Sequence, residues 1–166
     1  MKKETQQEDF LMMLHQCEGT IFRICYLFSD RCSESISDLY QEIAYNLWMH
    51  YPEFRGQSAE NTWVYRVALN TVRQLYRRRR KVPVFVQFDP EAFENYVDDS
   101  SNSLLERLYE LIDRLSPKEK ELIFLYLDGV PIKEITTLTK CSKPTVMRKL
   151  SNIKQLLIQF NQNDEQ

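Results

Sequence analysis

Between residues 63 and 77 one side of the chain collects groups whose chemistry suits nucleic acid. Trp63, Arg66, Asn70, Arg73 and Arg77 recur at alternating three- and four-residue steps. That spacing places them on a single helix face. Guanidinium groups bind phosphates, a carboxamide can read a base edge, and an indole can stack on an unpaired base. An equally available reading for Trp63 is core packing. The stripe leads into Arg77–Lys81, an unbroken run of basic residues. Lying at a helix C-terminus, that run is favourably placed against the negative end of the dipole. It therefore reads as the end of a binding face, because a nuclear-localisation tag would need no stripe leading into it.

A second constellation lies near the C-terminus. Ile132, Ile135 and Leu138 share the inner side of a short helical stretch, and Val146, Leu150, Ile153 and Leu157 that of a longer one. The break between them, "TKCS", is short enough to hold two helices at a steep angle, with Ser142 capping the second. Such a helix-turn-helix pushes the outer face of its second helix into a major groove. That face carries Lys143, Pro144, Met147, Arg148 and Ser151, with Lys149 and Lys154 beside it for phosphates. A plain hairpin with a solvated basic face is the competing reading, and the basic excess of this stretch counts against it.

The third constellation is acidic. Asp38, Gln41, Glu42 and Tyr45 share the outer face of a helix expected over 35–50. Like charges four residues apart cost about a few tenths of a kcal/mol in an isolated helix. The face is either plainly solvated or a docking surface for a basic protein partner.

The elements that must position these groups are all helical. Residues 8–29 read as one helix, with Phe10, Leu14, Cys17, Ile21, Ile24 and Phe28 inward. The next has Ile36, Leu39, Tyr40, Ile43, Leu47 and Trp48 inward, a Ser35 cap, and Pro52 at its end. A third opens at Ser58 or Ala59, runs to about Arg80, and buries Val64, Val67, Ala68, Thr71, Val72 and Leu75. After a stretch of weak signals, Leu104, Leu108, Leu111, Ile112 and Leu115 mark a fourth helix. "SPKE" at 116–119 is a capping box opening a fifth, which closes at Asp128-Gly129. The fold class is all-α: two small helical domains joined by an acidic linker, the C-terminal one a helix-turn-helix. The boundaries are 1–81, linker 82–103, and 104–166.

Charge follows the same division. Residues 63–81 hold seven bases and no acid, 82–103 hold five acids and no base, and 132–154 hold six bases against Glu134. Two basic blocks around an acidic one suggest two polyanion contacts. At 166 residues and 43% hydrophobic the chain can bury cores, and with three glycines it favours helices. The opening "MKKETQQEDF" lacks an apolar core for a signal peptide, and no run of roughly 18 apolar residues occurs, so direct membrane insertion is not expected. Cys17, Cys25, Cys32 and Cys141 form no close pair of the zinc type. They read as free thiols, and no metal or cofactor is expected. With two histidines, His15 and His50, and no nucleophile elbow or phosphate loop, an enzyme is not expected.

These residues resemble a known family. "SDLYQEIAYNLW", "FRG" and "TWVYRVALNTVRQLYRRRR" are similar to region 2 of bacterial RNA polymerase sigma factors. "LIDRLSPKEKELIFLYLDGVPIKEITTLTKCSKPTVMRKLSNIKQLL" is similar to region 4. The order and short length resemble the extracytoplasmic-function (ECF) group. The resemblance implies a cytoplasmic protein that binds core RNA polymerase and directs it to promoter DNA. It implies polymerase docking by Asp38, Gln41, Glu42 and Tyr45. It implies that Phe54, Arg55 and Gly56 through Asn61 capture a flipped base of the proximal promoter element, with Trp63, Arg66, Asn70, Arg73 and Arg77 contacting the same element. It implies contacts to the distal element from Ser142, Lys143, Thr145, Met147, Arg148 and Ser151, and a linker threading the polymerase. An anti-sigma partner, often membrane-bound, is also implied. The family often has alanine where Thr136 stands and glycine where Lys140 stands. The alternative is a stand-alone helix-turn-helix regulator, which leaves the Asp38–Glu42 face and the Arg66–Arg77 stripe without a role.

Overall fold

A computed structural model describes the backbone of residues 2–79 and 102–166. Chain contacts divide the protein into two compact units, Met1–Val97 and Asp98–Gln166. Of the expected linker over 82–103, residues 82–101 lie outside the described residues, together with Arg80 and Lys81, and its last two residues, Asn102 and Ser103, belong to the first helix of the C-terminal unit.

The N-terminal unit is built from α1 (Lys2–Gln16), α2 (Glu18–Phe28), α3 (Ser33–His50) and α4 (Glu60–Arg79). A single turn of 3₁₀ helix, Tyr51–Glu53, follows α3. Where the sequence suggests one helix over 8–29 there are two, separated at Cys17, whose ψ of 2° departs from helical geometry. The hydrogen bonds from Cys17 N to Met13 O and from Ile21 N to Cys17 O, both 3.0 Å, continue across the break. The junction is thus a bend, not a loop. It lets Phe10 and Met13 on one side and Ile21 and Ile24 on the other all reach the core.

That core centres on Ile21, Ile24, Ile43, Leu47 and Val64, each without solvent exposure. Burying each such side chain is worth about 1.5–3 kcal/mol. Helix α3 starts two residues earlier than the sequence suggests, because Cys32, not Ser35, is its cap. The Cys32 thiol accepts from the Ser35 N–H at 3.3 Å and donates to the Ser35 hydroxyl at 3.0 Å. A sulfur cap is weaker than an oxygen one, so residue preferences point to serine instead.

The C-terminal unit comprises α5 (Asn102–Asp113), α6 (Pro117–Leu127), α7 (Ile132–Thr139) and α8 (Lys143–Asp164). The capping box at Ser116 is complete: Ser116 Oγ accepts from Glu119 N, and Ser116 N donates to Glu119 Oε2 at 2.9 Å. Gly129 closes α6 with φ of +80°, a conformation that only glycine adopts without strain. Ile112, Ile123, Leu125, Ile135, Val146 and Ile153 are almost wholly enclosed. Arg107 and Arg114 both donate to Asp164, Arg107 at 2.7 Å and Arg114 at 3.1 and 2.5 Å, tying the end of α8 to α5. Among the described residues there is no strand, and no helix is long and apolar enough to cross a membrane.

Candidate polymerase-docking and nucleic-acid surfaces

The acidic face follows from α3's burial pattern. Ile36, Leu39, Ile43 and Leu47 turn inward. Asp38, Gln41 and Tyr45 are therefore left exposed, with Glu42 half-buried at the edge. Gln41 Nε2 lies 3.5 Å from Ser37 Oγ, and Glu42 forms a 3.7 Å ion pair with Arg78 of α4. Trp48 and Met49 extend the same face. The sequence places Trp48 inside with Leu47, but it is 39% exposed. Phe10 meets the indole edge-on at 4.9 Å and covers one side only. The signal was available: Leu47 already occupies the inward position, so its neighbour is turned about 100° away.

The second surface is a hollow between the end of α3 and α4, about 300 Å³ in volume. Trp63, Arg66 and Asn70 line it from α4, and Asn46, His50 and Glu53 line it from the opposite side. Its walls are joined by a hydrogen-bond chain: Asn46 donates to Thr71 Oγ1 at 2.9 Å, and Thr71 donates to the Val67 carbonyl at 2.9 Å. Thr71 is buried, as its place in the apolar stripe implies, and both its lone pair and proton are used.

Trp63 is the residue whose position differs most from the stripe reading. Its indole is only 8% exposed. Phe54 lies tilted against it at 5.0 Å and Tyr51 edge-on at 6.2 Å. The ring is thus packed against the protein's own aromatics, as a core position implies, and little of it is left open for stacking. Trp63 instead contributes to the wall of the hollow. Arg66, Asn70 and Arg77 are exposed and Arg73 is half-buried, in the order the helical spacing implies. Arg73 donates to the Asn70 side-chain Oδ1 at 2.9 Å, which leaves the Asn70 side-chain amide as a donor on an exposed residue. The Cys17 thiol donates to the Asn61 carbonyl oxygen at 3.2 Å, with the same effect at Asn61. Arg55 and Gly56 are exposed in the loop before α4, and Gly56 has φ of +68°, strained for any other residue.

The third surface is the outer side of α8. Lys143, Pro144, Met147, Arg148 and Ser151 are exposed on it, while Val146, Leu150 and Ile153 are buried against the unit's core. Ser142 caps the helix, its hydroxyl accepting from Thr145 N at 3.4 Å and lying 2.8 Å from the Thr145 hydroxyl. Both hydroxyls are thus engaged at the helix start, and Thr145 is half-buried. Lys154, expected beside this face, is drawn toward α6: its ammonium lies 4.3 Å over the Tyr126 ring and 3.2 Å from the phenol oxygen. The turn before α8 forces Lys140 to φ of +56°.

The four thiols are free. Burial pushes Cys25 up to about 12 and raises Cys17, so both stay protonated and unreactive at neutral pH. Among the described residues no group of acids, histidines and cysteines could hold a metal ion.

Comparison with known proteins gives a consistent pattern. Residues 13–82 match the family model "Sigma-70 region 2" and residues 105–157 match "Sigma-70, region 4". The chain is 28% identical over 136 residues to the ECF RNA polymerase sigma-E factor of Haemophilus influenzae, covering 74% of this chain and 72% of that protein. It is 24% identical over 139 residues to the ECF RNA polymerase sigma-E factor of Escherichia coli, covering 75% and 73%. Its fold is similar to that of the sigma factor RpoE from Bartonella quintana, solved with the anti-sigma factor NepR (TM-score 0.75, 18% identity, 93% of this chain and 98% of that one). It is also similar to CnrH, solved with the cytosolic domain of CnrY (TM-score 0.70, 18% identity, 95% and 90%).

Proposed function

The chain belongs to the ECF group of RNA polymerase sigma factors, and from that membership we propose how its surfaces divide the work of transcription initiation. The carrying observation is that regions 2 and 4 occur together and in that order in one short chain. A stand-alone regulator has no use for the first of them. The protein binds core RNA polymerase and promoter DNA and contributes no catalysis of its own. It acts in the cytoplasm, where the polymerase is.

Residues 1–81 dock on the polymerase and open the promoter. Asp38, Gln41, Glu42 and Tyr45 meet a basic partner surface, which offsets the like-charge repulsion along α3. Phe54, Arg55, Gly56 and Asn61 receive a flipped base of the proximal element. Extruding that base costs a few kcal/mol, which the pocket's contacts must offset. Trp63, Arg66 and Asn70 line the neighbouring hollow between α3 and α4, whose lining includes none of Phe54, Arg55, Gly56 and Asn61, and Arg66, Asn70, Arg73 and Arg77 contact the phosphates and base edges of the same element. Arginine contacts to phosphate release counterions, so this binding weakens with salt.

Residues 104–166 read the distal element as intact duplex. Lys143, Met147, Arg148 and Ser151 face the major groove. Ser142 and Thr145 hold the start of α8, where its free N–H groups can approach a phosphate. The acidic linker, residues 82–103, spans the polymerase between the two DNA contacts. An anti-sigma factor, as found with RpoE, holds the protein inactive by covering these surfaces.

Run-off transcription with purified core enzyme on genomic fragments tests the reading. Discrete transcripts that require the added chain are expected. No initiation on any fragment, together with no association with core enzyme, rejects it.

A further inference from the structure

A cavity of about 130 Å³ opens where the end of α2 meets α3 and α4, directly under the acidic face. Well-packed interiors leave few voids larger than a water molecule. Phe28, Leu39, Val72, Leu75 and Tyr76 line it with largely apolar surface, and Ser29, Ser35 and the Asp38 and Glu42 side chains complete its lining; the two carboxylates are taken as its rim.

This combination selects its occupant. A lysine or arginine buries its aliphatic stem against apolar surface while its charged head stays at a polar edge. An apolar side chain would leave two carboxylates beside it partly desolvated and uncompensated, and an acidic one would be repelled. Asp38 has no hydrogen bond or ion pair among the described residues. Glu42 has a loose one, the 3.7 Å pair with Arg78, between side chains 42% and 68% exposed. So exposed a pair contributes little and is readily exchanged.

We infer that this cavity is an anchor pocket for one basic side chain of the polymerase surface that docks on α3, and that Arg78 competes for its rim carboxylate in the free protein. The inference rests on the docking role proposed above. It adds a concave hot spot beneath what would otherwise be a flat charged contact. Buried anchors of this kind, not exposed ion pairs, dominate interface energetics. It also assigns Arg78 a role opposite in sign to that of the arginines on the DNA side of α4.

The test is the affinity of the full-length chain for purified core RNA polymerase, without DNA. Ser35→Leu and Leu75→Phe fill the cavity from different walls, and both positions are half-buried. Each is expected to weaken binding roughly thirtyfold, the size of a lost hot-spot side chain. Arg78→Ala is expected to tighten binding about two- to threefold, the size of a released exposed ion pair. Filled variants that melt as wild type and bind as wild type overturn the inference. Should both filled variants unfold, Arg78→Ala decides alone, because it removes only surface, and unchanged or weaker binding overturns the inference. The double variant Asp38→Lys, Glu42→Lys separates the two levels. Lost binding there with normal binding by the filled variants leaves the docking face standing and removes the pocket. Normal binding by the double variant removes the docking face itself, and the pocket with it.

Discussion

Around Trp63 the N-terminal unit is hollow, whereas along Arg148 the C-terminal unit presents a ridge. The hollow is enclosed by two helices and a loop, its walls joined through Asn46 and Thr71, with aromatic rings packed behind it. The ridge is one face of a single helix, held in place from beneath by Val146, Leu150 and Ile153. Both surfaces carry side chains that can donate to DNA, the hollow beside the Glu53 carboxylate, yet the shapes would suit different states of it. A concave site with polar walls can take one extruded base, which an intact duplex does not offer. A convex helix fits a major groove, whose edges only an intact duplex presents in order. The difference teaches that charge alone does not assign the two basic blocks. In the division of work proposed above, their curvature separates a strand-opening surface from a duplex-reading one.

The largest effect should come from a third place that neither DNA surface shares. Asp38→Lys with Glu42→Lys is expected to weaken core-polymerase binding by roughly hundredfold, through like-charge contact with a basic partner. The fold should be unchanged by circular dichroism, and transcription should fall at every promoter alike. Unchanged affinity in a pull-down with core enzyme rejects the docking face.

On the ridge, Arg148→Ala should cost about 1–3 kcal/mol of distal-element binding, the worth of one bidentate base contact. Footprints should shrink at that element only, with strand opening on a pre-melted template unaffected. Equal footprints from variant and wild type would remove Arg148 from the reading helix.

In the hollow, Thr71→Val removes the hydroxyl that Asn46 donates to and leaves a part-buried amide unsatisfied. About 1–3 kcal/mol of stability should be lost by chemical denaturation. Permanganate reactivity of the melted strand should fall more than duplex binding does. A variant that loses duplex binding first would dissolve the contrast between the two surfaces.

Smaller effects sharpen the C-terminal side. Lys140 sits at φ of +56°, where a side chain costs about 1–2 kcal/mol. Lys140→Gly relieves this, and Gly's greater chain entropy takes back part of it, so a net gain of about 0.5–1 kcal/mol is expected in the denaturation midpoint. A loss of stability would mean that the turn's conformation is different from that described.

Asp164 gives the smallest and most pH-specific signal. Hydrogen bonds from Arg114 first and Arg107 second hold its carboxyl below the ordinary Asp value of 3.8. A lowered folded-state value stabilises the fold at pH above the unfolded value and ceases to do so as pH falls through the folded one. Asp164→Asn should therefore reduce the melting temperature at neutral pH and flatten its decline below about pH 4. A decline as steep as that of wild type would show that other carboxylates carry the acid sensitivity.

Much of this architecture is local in origin and legible in the sequence. The Ser116 box, the Gly129 stop and the Ser142 cap are each decided within four residues, and the structure bears out all three. So is the alternation of Arg66, Asn70, Arg73 and Arg77, because helical periodicity dictates which residues share a face. The Cys32 cap is hidden in the sequence for a local reason of a different kind, since a thiol ranks below the Ser35 hydroxyl three residues on in cap preference.

What periodicity could not decide was which of two adjacent aromatic positions a third element would cover. Phe10, from a helix nearly forty residues away in sequence, shields one edge of Trp48 and leaves the rest in solvent. Tyr51 and Phe54 close over Trp63 and convert a supposed stacking platform into a wall. The hollow itself, and the cavity under Asp38 and Glu42, exist only where α2, α3 and α4 converge. Residue types and their spacing determine helices, caps and faces, because those energies act within a turn or two of the chain. Concavity arises from the packing of segments distant in sequence, and only the assembled helices decide where it falls.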